Sequence, residues 1–289
     1  MMKGFDQYNP LVITIYFFSV TGVAMFGSHP LFMTICLVGG VSYFLLRNGR
    51  KHAGSHLYFL LLFLILSAVN PITSHNGKTV LLVINDAQIT LEALFYGLNS
   101  ASMAVGVIYW FRSFSQIMTS DKLLYITGRF SPNISLIISM TLRFIPLFGR
   151  QMKKTAEAQK AMGLFKDDNI IDSIKGWVRI FSIVITWALE NSLVTAASME
   201  ARGCGTAKRT SFSDLRFSAA DAALLSADLL LLCICVIGYP NFEFYPEIKQ
   251  TEYGFLEICS VFAYFVMALM PIIIETRANL KWKFLKSKI

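Results

Sequence analysis

Long apolar runs separated by short polar segments make up most of the 289-residue chain. A helix needs roughly 17–25 mainly apolar residues to cross a bilayer, and six runs reach or approach that length. We predict that these runs are transmembrane helices: Leu11–Gly27, Leu31–Leu46, Leu57–Val69, Ile89–Phe111, Ser218–Gly238 and Gly254–Ile274. Asn70-Pro71 is expected to stop the third helix, because the residue before a proline disfavours helical geometry.

The region 113–217 has a different pattern, since charged residues repeatedly interrupt its apolar segments. Apolar residues at helical spacing from Ile170 to Ala188 predict a long amphipathic helix, which we expect to stop at Gly203. The other long helix, which precedes it in the chain from about Pro132 to Met162, is expected to kink at Pro146. We interpret the pair as lying against the membrane surface. The alternative is two further membrane spans, which would place several charges in the bilayer.

These elements predict an all-α membrane protein with about six transmembrane helices and two long amphipathic cytoplasmic helices. The predicted domains are 1–112 with four membrane spans, 113–217 with the amphipathic helices, and 218–289 with two spans and a basic tail. Composition agrees, because 55% of the residues are hydrophobic and 15% are charged. Soluble domains usually carry about 25% charged residues.

The distribution of basic residues predicts the orientation. Of the 26 Lys and Arg residues, only Lys78 and Lys249 fall in loops on one predicted side of the membrane. The positive-inside rule therefore places both termini, the loop between the second and third spans, and the region 113–217 in the cytoplasm. We read the net charge of +8 as a sign of this orientation and of contact with a lipid bilayer, with no nucleic acid as partner.

Two short motifs close the two amphipathic helices. The second helix ends in Ala201-Arg202-Gly203, and the first ends in Lys160-Ala161-Met162-Gly163. Further segments occur in order along the chain: Asn70-Pro71, His75-Asn76-Gly77, Thr90-Leu91-Glu92-Ala93-Leu94, Tyr96-Gly97, Thr119-Ser120-Asp121-Lys122-Leu123, and Ser139-Met140-Thr141-Leu142-Arg143-Phe144-Ile145-Pro146. Together these segments resemble the transmembrane T component of energy-coupling factor (ECF) transporters. That family carries two Ala-Arg-Gly motifs, each ending a cytoplasmic coupling helix, and here Met162 stands at the first arginine position.

The resemblance implies an energy-coupling subunit of an ABC-type importer in a prokaryotic plasma membrane. Its partners would be two cytoplasmic ABC ATPases and a separate substrate-binding S component, with vitamins or metal ions as cargo. The implied ATPase-docking residues are Lys160, Ala161, Met162 and Gly163 on the first helix and Ala201, Arg202 and Gly203 on the second. No enzymatic activity, cofactor or metal is expected. The sequence also lacks a Gly-x-x-x-x-Gly-Lys-Ser/Thr loop, so the energy would come from a partner.

The residue types of the second motif suit docking. Arg202 offers a planar, permanently charged set of donors for carboxylates or carbonyls in a partner. Ala201 lets a partner surface approach the helix, and Gly203 lets the chain turn away. The alternative is that Arg202 only stabilises the carboxyl end of its helix, where the helix dipole favours a positive charge.

Two other function classes remain open on sequence alone. His52 and His56 are four residues apart and could share a helix face as zinc ligands of an intramembrane enzyme, although no third ligand is evident. Asp228 follows Asp221 by seven residues inside a predicted span and could serve a secondary transporter as a proton relay. A charge at the bilayer centre costs ~2.5–3.5 kcal/mol, so Asp228 is expected to have a partner inside the bundle.

Overall fold

The structure, a computed structural model, describes residues 4–49, 53–73, 77–84, 87–164, 170–206, 217–240, 242, 244–246 and 254–286. His52, His75, Asn76 and Lys249 lie outside these ranges. The described elements, in chain order, are a 3-10 helix at Phe5–Gln7, α1 (Pro10–Phe26), α2 (Pro30–Asn48), α3 (Ala53–Thr73), β1 (Val80–Ile84), β2 (Ala87–Thr90), α4 (Leu91–Ile117), α5 (Ser120–Phe130), α6 (Pro132–Ala161), α7 (Ile170–Ala201), α8 (Ala219–Ile237) and α9 (Phe255–Lys286).

The predicted all-α membrane class is confirmed, apart from the small antiparallel sheet of β1 and β2. Within the described ranges, seven helices are long and apolar enough to cross a membrane: α2, most of α3, α4, α6, α7, α8 and most of α9. The apolar α1 is shorter, with 17 residues. By length and composition α6 and α7 meet the same criterion as the predicted spans, so their interfacial placement stays a prediction.

The chain divides into two compact units. The first, here called the bundle, comprises residues 1–119 and 215–289, and the second, here called the hairpin unit, comprises residues 120–214. The bundle contains α1–α4, α8, α9 and the sheet, and the hairpin unit contains α5, α6 and α7. The assignment of regions to membrane and cytoplasm stays a prediction.

An aromatic core holds the bundle together. The fully buried Trp110 of α4 stacks on Tyr43 of α2 with ring centroids 5.9 Å apart, and its indole N–H donates to the Cys36 carbonyl over 3.0 Å. Glycine lets these helices approach closely, since a Cβ at Gly106 of α4 would lie 3.1 Å from the Leu37 backbone nitrogen. Burial of large aromatic rings, here with the Trp110 N–H hydrogen-bonded, stabilises a core between helices.

The expected stop at Asn70-Pro71 is wrong, because α3 continues through Pro71 to Thr73. Proline has no N–H to give to the carbonyl four residues earlier, here that of Ser67. Because Pro71 lies in the last turn of α3, the loss of this one hydrogen bond is the main cost of continuing the helix. The freed carbonyl faces α4 at Gly97, where an added Cβ would lie only 2.7 Å from the Ser67 oxygen.

Candidate functional site

The end of α6 is a regular carboxyl-terminal cap. The Gly163 N–H donates to the Lys160 carbonyl over 3.0 Å, and the Leu164 N–H donates to the Gln159 carbonyl over 3.1 Å. Gly163 has a φ of 68°, the left-handed conformation that glycine adopts without a steric penalty. These are the two hydrogen bonds of a Schellman motif, with Met162 in the cap position just after the helix.

The end of α7 repeats this geometry. The Gly203 N–H donates to the Glu200 carbonyl over 2.8 Å, and the Cys204 N–H donates to the Met199 carbonyl over 3.0 Å. Gly203 has a φ of 74°. Arg202 therefore occupies in α7 the cap position that Met162 occupies in α6. The two motifs found in the sequence are thus equivalent in backbone structure, residue by residue.

The side chains presented at the two ends differ. Met162 and Arg202 are both exposed, one apolar and the other charged. Two residues earlier the difference continues, because Lys160 corresponds to Glu200 and both side chains are exposed. The opposite charges at this second position were missed by the sequence reasoning, although the motif alignment contained the signal.

The two helix ends lie far apart within the hairpin unit. The short segment 162–169 joins α6 to α7, and such a connection makes neighbouring helices antiparallel. The contacts agree, since Phe148 and Trp187 meet with ring centroids 6.0 Å apart and the Arg179 guanidinium donates to the Leu164 carbonyl over 3.4 Å. α7 therefore begins beside the end of α6. Because α7 has 32 residues, its carboxyl end lies about 48 Å farther along its axis.

Few hairpin side chains are buried. Thr155 and Gln159 of α6 and Gly176, Ile180 and Val184 of α7 form the buried face of the pair. Most of the apolar stripe predicted on α7 is instead exposed, together with apolar side chains of α6. The exposed set is Ile134, Ile137, Ile145, Ile170, Ile171, Ile174, Trp177, Val178, Phe181, Ile183, Ile185, Leu189, Leu193 and Val194. Monomeric soluble proteins rarely expose contiguous apolar patches of more than a few hundred Å².

The structure bears on both alternative sites. His56 Nδ1 lies 3.0 Å from the Tyr109 hydroxyl, against whose ring the imidazole stacks, so this nitrogen is engaged within the bundle. Among the described residues there is no group of three His, Cys, Asp or Glu side chains that could hold a metal. Asp228 has the expected interhelical partner, the Ser19 hydroxyl of α1. Nothing in the sequence marked Ser19 as that partner.

Comparison with known proteins supplies the family relationship. No family model matches the chain. It is 32% identical over 106 residues to the energy-coupling factor transporter transmembrane protein EcfT of Lactobacillus helveticus, covering 36% of this chain and 38% of that protein. It is 36% identical over 94 residues to EcfT of Listeria innocua, and 31% identical over 100 residues to EcfT of Streptococcus thermophilus. Over this stretch the chain is EcfT-like.

The resemblance to the T component that the motifs indicated is thereby confirmed. The matches cover between 36% and 38% of the length of these EcfT relatives and about a third of this chain. Together with the seven apolar helices, they support a multi-pass protein of the cell membrane.

Proposed function

We propose that this chain is the energy-coupling transmembrane subunit of an ECF-type importer. It would pass the motion of two cytoplasmic ABC ATPases to a separate S component that captures a vitamin or a metal ion. The chain would perform no catalysis, and its contribution would be mechanical. Lys160–Gly163 and Ala201–Gly203 would each dock on one ATPase, with both termini in the cytoplasm.

The observation that carries this proposal is the pair of equivalent helix ends. Two exposed caps with the same hydrogen-bond pattern, about one helix length apart, suit two similar partner subunits better than a single binding pocket. A cap that only terminates a helix needs its glycine but does not need an exposed arginine. In the described residues the Arg202 side chain makes no ion pair or hydrogen bond, so its donors are free for a partner.

The exposed apolar face of α6 and α7 suggests where the S component would bind. A partner that is itself a membrane protein could cover this face, and small shifts of the hairpin would then move that partner directly. Binding by such a face is driven by buried apolar area and does not require paired charges. The same face would contact lipid if α6 and α7 were membrane spans.

Affinity purification in mild detergent, from cells that also express a pair of ABC ATPases and a candidate S component, tests the proposal. We expect wild-type protein to recover two ATPase subunits and a small membrane protein, and Arg202→Ala to recover less ATPase at equal expression. Glu190→Ala, at an exposed charged residue on the same helix away from its end, is the matched control. Recovery of no ATPase by the wild type, or equal recovery by all three, would reject the docking role.

A second measurement separates coupling from catalysis. The purified chain alone should show no ATP hydrolysis, because the sequence contains no phosphate-binding loop. ATP turnover by a homogeneous preparation, abolished by a substitution in this chain, would contradict the proposal. External labelling of a single cysteine introduced near Arg202 would contradict the proposed orientation.

A further inference from the structure

Asp228 of α8 is a fully buried carboxyl group inside an apolar helix. Its Oδ1 and Oδ2 lie 3.0 Å and 2.9 Å from the Ser19 hydroxyl oxygen of α1. That hydroxyl also lies 2.9 Å from the carbonyl oxygen of Tyr16. Among the described residues no other donor and no cation reaches the Asp228 carboxyl group. Three acceptor oxygens therefore surround a single hydroxyl hydrogen.

The neighbouring titratable groups do not supply another hydrogen. The Tyr16 hydroxyl donates to the Met267 carbonyl over 2.7 Å, and the Cys235 thiol donates to the Ser260 carbonyl over 3.6 Å. Ser19 lines a mainly apolar groove of about 610 Å³ between α1 and α8. An ionised Asp228 would thus be a buried charge with at most one hydrogen bond, an arrangement that costs far more than a neutral acid.

Asp221, seven residues earlier on α8, shows what a satisfied carboxylate looks like in this bundle. It is equally buried, yet it accepts from the Asn9 N–H over 2.9 Å and from the Ser218 N–H and hydroxyl over 2.8 Å each. It also lies in the first turn of α8, where the helix dipole favours a negative charge. Three donors and the dipole are consistent with an ionised group.

We infer that Asp228 is a proton-binding site that stays neutral in the folded protein and ties α8 to α1. The carboxyl O–H donates to Ser19 Oγ, and the Ser19 hydroxyl donates to the Tyr16 carbonyl, so each hydrogen has one acceptor. The link is therefore an uncharged interhelical hydrogen bond, which an apolar surrounding tolerates. This inference concerns the bundle alone and does not depend on the proposed transport function.

Asparagine substitutions at Asp228 and at Asp221 test this inference. Asparagine resembles a neutral acid, since its amide can donate to Ser19 Oγ, so Asp228→Asn should keep the melting temperature of the full-length protein in nanodiscs within about 2 °C. Asp221→Asn should lower it by about 5 °C or more, because an amide N–H₂ would face backbone donors and the charge would be lost. Equal losses at both positions would show that Asp228 is ionised and overturn the inference.

Infrared spectroscopy of the wild-type protein at neutral pH gives a second, independent readout. A carboxylic-acid carbonyl band that disappears in Asp228→Asn is expected. The band should persist in Asp221→Asn if that variant folds. Absence of such a band in the wild type would overturn the assignment, even if a variant failed to fold. Stability that depends on added Na⁺ or K⁺ and is lost in Asp228→Asn would also overturn it, by showing a metal cation in place of the proton.

Discussion

The bundle and the hairpin unit both contain helices that are long and apolar enough to cross a membrane, but they bury their aromatic side chains to different extents. In the bundle, aromatic side chains such as Trp110, Tyr16 and Phe5 are fully buried against neighbouring helices. In the hairpin unit, side chains of the same kind, such as Trp177 and Phe181, are more than half exposed. The bundle thus encloses a core of its own while it also exposes apolar side chains such as Phe255, whereas the hairpin unit buries few of its apolar side chains. That difference separates side chains buried in a folding core from side chains that are largely exposed.

The largest expected effect is the difference in stability between alanine substitutions at two tryptophans, one in each unit. Trp110→Ala should destabilise the bundle by about 3–5 kcal/mol, because it leaves a cavity and removes the hydrogen bond to Cys36. Trp177→Ala removes a side chain that is 51% exposed, so the melting temperature should stay within about 2 °C. The measurement is thermal unfolding in detergent. A large loss at Trp177 in the isolated protein would mean that the hairpin unit is also a folding core.

The next largest effect concerns the helix end that carries Arg202. Hydrogen bonds to charged groups are worth ~1.5–3 kcal/mol, so Arg202→Ala should weaken ATPase docking roughly tenfold to a hundredfold. Arg202→Lys should recover only part of the loss, because an ammonium group cannot reproduce the planar arrangement of donors. Equilibrium binding to the purified ATPases measures both. Unchanged binding in Arg202→Ala would leave the arginine as a helix cap.

A smaller effect is expected at the glycines of the two caps. Gly163 and Gly203 have φ values of 68° and 74°, so alanine would place a Cβ in a left-handed conformation at a cost of about 1 kcal/mol. The space is open at Gly163, and the nearest atom at Gly203 is the Thr206 hydroxyl at 3.4 Å. Alanine at either position should therefore loosen its own helix end to a similar degree. Hydrogen exchange of the last turns checks this, and a much larger loss at one end would show that the caps are not equivalent.

Most helices could be predicted from the sequence because periodicity and run length are local signals. The start of α4 shows this, since the prediction placed it at Ile89 and the structure begins it at Leu91, after the capping Thr90. The pair β1 and β2 and the short α5 were missed. The run Val80–Ile84 is too short to distinguish a strand from a helix by pattern, and its pairing depends on β2. α9 continues past the predicted Ile274 to Lys286, where basic residues replace the apolar run without breaking the helix.

The candidate site was predictable in part for the same reason. The motif residues at both helix ends lie where the sequence placed them, because glycine after a long helix is a local stop signal. The link between Asp228 and Ser19 was not predictable, because it joins residues more than 200 positions apart. The exposure of the α7 stripe was not predictable either. Periodicity identifies an apolar face but does not say which neighbour covers it.

The smallest expected effect is at the end of α6, where Met162 occupies the cap position that Arg202 occupies in α7. Met162 is 60% exposed and offers only apolar contact, so Met162→Ala should weaken ATPase docking by less than Arg202→Ala and with little dependence on salt. Lys160→Ala tests whether the lysine two residues earlier supplies the missing charge. If it does, the loss of ATPase binding in Lys160→Ala should become smaller as the salt concentration rises. The loss of binding in Arg202→Ala should show the same dependence. Glu200, at the equivalent position of α7, is the matched control, because Glu200→Ala removes a charge of opposite sign from an equivalent backbone. A salt series of ATPase binding with reconstituted transport measures all four variants. Equal, salt-independent losses at Met162 and Arg202 would show that both ends dock by packing alone, and the electrostatic difference between them would then have no role.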